Sequence, residues 1–125
     1  MSDEELPAEL RSQLISACRT AIGDRLRSMV YFTAADYEQI YLRSDLEHEA
    51  DIERFVNNER LGFTSMQTYG ASELGDYYYT IRAFEYGYIT RVIEGDHGVF
   101  VTTDEISVTQ FEHVARALRR VLREF

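Results

Sequence analysis

The sequence predicts an α+β fold, a single antiparallel sheet of about five strands flanked by helices in the order α-β-β-α-β-β-β-α. Three observations lead there. Apolar residues recur at three- and four-residue spacing near both ends of the chain. Between residues 77 and 102, short runs rich in Tyr, Ile, Val and Thr alternate with turns built on Gly, Asp and Glu. The 125 residues, 45% of them hydrophobic and 13% aromatic, can fill one core without disulfide or metal support, so one domain over residues 1–125 is expected.

Taken in order, Leu6, Leu10, Leu14, Cys18, Ala21 and Ile22 make one apolar stripe, predicting a first helix over residues 5–27 with Pro7 in its first turn. Residues 29–32 are strand formers, residues 33–36 break the run, and residues 37–43 form a second strand. The competing reading of residues 37–43 is a short helix capped by Thr33, with Asp36 at the capping-box position. Residues 46–61 then predict a helix, and residues 63–69 an edge strand or extended connection. After a loop over residues 70–76, strands at 77–84, 88–93 and 99–102 form a meander with turns at Gly87 and Gly95. Ser107 and Gln110 make a capping box for a last helix, whose apolar face runs from Phe111 to Phe125.

The charge balance narrows the class of partner. Asp and Glu number 22 against 13 basic residues, a net charge of −9, and every basic residue is Arg because Lys is absent. That composition predicts a salt-loaded cell interior, where screening relieves the self-repulsion of so acidic a chain. It also argues against generic nucleic-acid or anionic-membrane binding, which needs a basic footprint. The acidic N-terminus lacks the apolar run of a signal peptide, and no stretch is apolar enough to span a membrane, so a cytoplasmic location is expected.

Chemistry-bearing motifs are scarce. His48, His97 and His113 fall on three different elements without H-E-x-x-H or C-x-x-C spacing, so no metal is expected. The acidic run Asp45, Glu47, Glu49, Asp51 and Glu53 lacks a gathering turn and reads as a solvated face. There is no Walker A sequence, no G-x-G-x-x-G and no G-x-S-x-G. Cys18 lies on the apolar stripe and reads as a core residue. Neither a cofactor nor an enzymatic activity is expected.

Two features stand out as a partner or ligand face. Arg116, Arg119, Arg120 and Arg123 crowd the end of the last helix, where cations complement the helix dipole and where an acidic partner would also bind. Tyr residues bunch around the first meander hairpin. Strand alternation places Tyr78, Arg82 and Phe84 on one face and Tyr77, Tyr79 and Ile81 on the other, with Tyr88 on the returning strand. Helix packing covers one face. Residues 46–61, a partner chain or a ligand would cover the second, and Tyr and Arg are residues that interfaces favour.

The strings Tyr31-Phe32-Thr33, residues 36–43, residues 73–77 and residues 98–104 resemble a small protein family of halophilic archaea to which no activity is attached. The element order is similar to that of roadblock domains and the wider profilin-like group, which includes longin, GAF and PAS modules. This resemblance implies a non-enzymatic regulatory or scaffolding module acting as a homodimer, with a protein partner, through an aromatic sheet edge or the second helix. The alternative it implies is a small-molecule sensor of GAF/PAS type, with a pocket walled by Tyr and Arg.

Overall fold

A computed structural model describes residues 6–46 and 51–125. Leu10, Leu14, Cys18 and Ile22 form the buried stripe of α1 (Ala8–Ile22). The helix stops short of the expected residue 27 because Gly23 takes φ 56°, a conformation glycine adopts without steric cost, and donates its N–H to the Arg19 carbonyl. A 3-10 turn over Gly23–Arg25 redirects the chain, so β1 (Leu26–Thr33) begins at Leu26 rather than Met29.

The hairpin reading of the next segment holds: β2 (Tyr37–Leu42) pairs antiparallel with β1. Thr33 Oγ1 does accept from the N–H groups of Ala35 and Asp36, at 3.3 and 3.1 Å, but this capping closes a turn instead of starting a helix.

The helix expected over residues 46–61 is shorter, α2 (Ile52–Glu59), and residues 47–50 of that expectation lie outside the described residues. Residues 63–69, expected to be extended, instead form α3 (Gly62–Thr68). The reason is the spacing of Phe63 and Met66, which both pack against the buried cluster around Phe32. Residues three apart share a helix face and fall on opposite sides of a strand.

The meander is β3 (Thr80–Phe84), β4 (Gly87–Glu94) and β5 (His97–Thr103). β3 starts later than the expected residue 77. The Tyr77 hydroxyl accepts a hydrogen bond from Arg91 at 3.0 Å and bonds Thr80 Oγ1, which holds Tyr77 outside the ladder. α4 (Val108–Arg123) carries the predicted capping box: Gln110 N–H donates to Ser107 Oγ at 3.1 Å, and Ser107 N–H donates to Gln110 Oε1 at 2.9 Å.

The strands form one antiparallel sheet in the order β2-β1-β5-β4-β3. On one face α1 and α4 pack over Met29, Val92, Val99 and Val101. On the other, α2 and α3 bring Ile52, Val56 and Phe63 onto Val30, Phe32, Ile89, Ile93 and Phe100. This α+β architecture, with its five-stranded antiparallel sheet, is the fold class the sequence predicts, with one additional helix. Among the described residues no helix is long and apolar enough to cross a membrane.

Candidate interaction surface

The meander leaves β3 as the outermost strand, with no strand beyond it among the described residues. Ile81 and Phe84 are exposed on β3, and Tyr86, in the turn that follows, is 81% exposed. Leu61, between α2 and α3, and Tyr69, at the end of α3, add further exposed apolar surface; Tyr69 stacks on Tyr77 and Phe84 on Phe55. The opposite edge differs. β2 pairs through a register irregularity between Met29 and Val30, and its Glu38 is held in an ion pair by Arg11. Bulges and charges of that kind guard an edge against pairing with another chain.

β3 also carries a charge, but Arg82 is turned inward. Its Nε donates to Glu59 Oε2 at 2.8 Å, and that hydrogen bond, chiefly, raises the guanidinium pKa further. Glu59, at the end of α2, is buried to 1% exposure and also accepts from Arg91 of β4 at 3.1 Å. Arg91, 5% exposed, gives its other amino group to the Tyr77 hydroxyl and Thr80 Oγ1. Gly62 lies beside it, and a Cβ there would come within 2.6 Å of Arg91 Cζ, so any side chain at this position would have to displace the guanidinium. Two cations thus share one buried carboxylate, pinning the end of α2 to β3 and β4. Sequence reading singled out Arg82 but missed Glu59 and Arg91. The available signal was a charge inside the apolar run from Tyr88 to Ile93.

The structure separates the residues that strand alternation grouped. Arg82 and Phe84 lie on the α2 side of β3. Tyr78 precedes the strand and lies instead against α4, where the Arg119 guanidinium sits 4.3 Å from its ring centroid. Tyr88 is half-buried, edge-on to Phe111 of α4, and belongs to the core between sheet and helix. Arg116, Arg119, Arg120 and Arg123 are brought together with Tyr78 and Tyr79 around a shallow concavity of about 580 Å³. Glu94 Oε2 accepts from Arg119 at 2.7 Å and its Oε1 from Arg123 at 3.1 Å.

A groove of about 540 Å³ opens where α2 leaves the sheet uncovered. Val30, Ile89 and Phe100 floor it, Phe55, Phe84 and Leu42 wall it, and the hydroxyls of Ser28 and Thr102 meet at 2.6 Å.

The remaining reactive groups serve the fold. Cys18 is fully buried, and burial pushes its thiol up to about 12, so it stays protonated and unreactive near neutrality. His97 joins the Tyr31 hydroxyl at 2.8 Å to the Leu122 carbonyl at 3.0 Å. The carbonyl only accepts, so Nε2 carries the hydrogen. Burial, and then the charge of Asp96, raise the Tyr31 pKa. His113 is exposed on α4, and His48 lies outside the described residues. Among the described residues no group of three or more His, Cys, Asp or Glu side chains gathers to hold a metal ion.

Residues 12–123 match the DUF7522 family, a domain of unknown function, and the chain belongs to that family. None of the curated proteins matches it. Among solved structures it is similar to the gliding protein MglB from Thermus thermophilus, with a TM-score of 0.64 at 10% identity over 100% of this chain and 99% of that one. It is also similar to an MglB with a tetrameric arrangement, with a TM-score of 0.62 at 12% identity over 99% and 98% of the two chains. Myxococcus xanthus MglB follows with a TM-score of 0.51 at 12% identity over 99% and 94%. At this identity the likeness establishes the fold, which is roadblock-like.

Proposed function

We propose that this DUF7522 member is a non-enzymatic regulatory or scaffolding module that works as a homodimer, joined along the β3 edge. The observation that carries the reading is the unguarded edge itself. Ile81, Phe84 and Tyr86 are exposed along it, Glu85 in the turn is exposed between the last two, and the one charged side chain within β3, Arg82, is drawn down onto Glu59. Pairing two such strands would continue the sheet across the dimer and cover the apolar fringe that includes Leu61 and Tyr69. An MglB of the same fold adopts a tetrameric arrangement, which supports assembly as a property this architecture accommodates. The acid excess and the absence of Lys support a halophilic archaeal source and a salt-rich cytoplasm as the working environment.

Light scattering coupled to size exclusion tests the dimer. The expected mass is twice 14.6 kDa, falling toward 14.6 kDa on dilution. Ile81→Lys with Phe84→Lys should give a monomer with unchanged circular dichroism, since edge lysines block strand addition. A wild-type chain that stays monomeric at every concentration tested would overturn the reading.

A second reading, a small-molecule sensor, is favoured by the groove with its apolar floor and paired Ser28 and Thr102 hydroxyls. Mass spectrometry of the protein purified without denaturation would then find a stoichiometric small molecule, released by Phe55→Glu at the partly exposed wall of the groove.

A further inference from the structure

The outer flank of α4 is organised differently from an ordinary solvated helix face. Glu94 holds Arg119 and Arg123 at once, and Arg119 lies flat against Tyr78, so this part of the flank is fixed in place. Arg119 and Glu94 are each only 21% exposed. Of the other two guanidinium groups, one is held only by a long contact on its own helix and the other is uncommitted among the described residues. Arg116 is 73% exposed and reaches Glu112 only at 3.5 Å. Arg120 is exposed and, among the described residues, makes no ion pair or side-chain hydrogen bond. Both border the concavity lined by Tyr78 and Tyr79. A braced base carrying two solvent-facing guanidinium groups, one loosely paired with Glu112 and one unpaired among the described residues, is a site prepared for carboxylates, since Arg takes a carboxylate through two parallel hydrogen bonds.

We infer that this flank docks an extended acidic segment of a partner protein, with Arg116 and Arg120 each holding one carboxylate and Tyr78 packing under the chain between them. Charge complementarity carries the choice of occupant. On a chain of net charge −9, this flank sets four arginines against Glu94, Glu112 and Glu124, a local exception to the prevailing sign. A long uniform polyanion such as a nucleic acid would overrun the row onto acidic surface and be repelled. A short segment would not. Spacing narrows it further. Four residues of helix advance about 6 Å, close to the roughly 6.6 Å between alternate side chains of an extended chain. The segment that fits therefore carries Asp or Glu at every second residue. Docking at this flank does not depend on pairing at β3.

The test is fluorescence anisotropy with a labelled synthetic peptide of about eight residues alternating Glu and Ser, at the lowest KCl concentration that leaves circular dichroism at its full value. The alternating peptide should bind at least about tenfold more tightly than its isomer Glu-Glu-Ser-Ser-Glu-Glu-Ser-Ser, in which no two carboxylates stand two residues apart. Arg116→Ala with Arg120→Ala should lose about tenfold or more of that affinity while melting at the wild-type temperature. Arg25→Ala with Arg54→Ala removes the same charge elsewhere and should bind as wild type does. Three results would overturn the inference: no peptide binding, equal loss from the two double variants, or tighter binding of a single-stranded oligothymidylate than of the peptide.

Discussion

At the scale of single residues, the most consequential group is Glu59, a carboxylate 1% exposed between two arginines. Removing one partner from a buried pair leaves the other charge without compensation, which costs more than the pair itself contributes. Arg91 is nearly as deeply enclosed as Glu59, and its Nε already has no partner among the described residues, so it has no route to water. Glu59→Gln is therefore expected to destabilise by about 3–5 kcal/mol, read from urea denaturation. Arg82 differs in one respect: its side chain is 38% exposed and can turn to solvent. Arg82→Gln should cost only about 1 kcal/mol, because the Glu59–Arg91 pair survives it. Equal costs for the two variants would mean that the network does not share its charge as the distances indicate. Of this network only Arg82 was singled out from the sequence, and Arg91 left a signal as a charge inside an apolar run. Glu59 follows an acidic stretch that reads as solvated, and only tertiary packing turns it inward.

Elements were legible where local chemistry decided them. The Ser107–Gln110 box and the apolar face from Phe111 fixed α4, and the Tyr-rich runs broken at Gly87 and Gly95 fixed the meander, though not the place of β3 at the outside of the sheet. Boundaries set by a single residue were not. Gly23 ends α1 through its positive φ, and Phe63 and Met66 make a helix of a segment that composition left open. Of the interaction face, the Arg row and Tyr78 were legible as residue types, but their meeting depended on Tyr77 being drawn out of the strand. The junction of β1, β2 and β5 shows another arrangement that only the fold assembles. Arg43, just past β2, donates to Asp104 at 2.7 Å and to Asp45 at 2.6 Å, and Arg27 of β1 donates to Asp104 at 3.2 Å. These hydrogen bonds, led by Arg43, hold both carboxyls below their ordinary 3.8. The unfolded chain then takes up protons near 3.8 that the folded chain refuses, so stability is full above that range and falls as pH drops through it. Melting temperature should decline from about pH 5 to about pH 3, and Asp104→Asn should flatten that decline. An unaltered slope would place the acid sensitivity elsewhere.

For the whole molecule the governing quantity is net charge. At −9 the folded chain concentrates like charges that the unfolded chain spreads apart, so self-repulsion works against folding. Added salt has two opposed effects. It screens that long-range repulsion, and it weakens exposed ion pairs such as Arg54–Asp51 and Arg116–Glu112. The exposed pairs contribute little in any solvent. The pairs that matter most, Glu59 with Arg91 and Glu94 with Arg119, are sheltered and meet at hydrogen-bond distance, where mobile ions do not enter. Screening of the repulsion should therefore win. The Debye length falls from about 10 Å at 0.1 M to about 3 Å at 1 M, so most of the gain should arrive below about 0.5 M KCl and level off beyond it. A melting temperature that rises and then plateaus in this way is the expected result. Substituting exposed Glu53 and Glu73 by Gln should raise the low-salt value and reduce the salt gain, because part of the repulsion is then absent from the start. A gain that continues linearly to about 2 M would instead report preferential exclusion of salt from the surface, a property of burial rather than of charge. A flat profile would sink the proposal that this acidic, lysine-free surface is suited to a salt-rich interior.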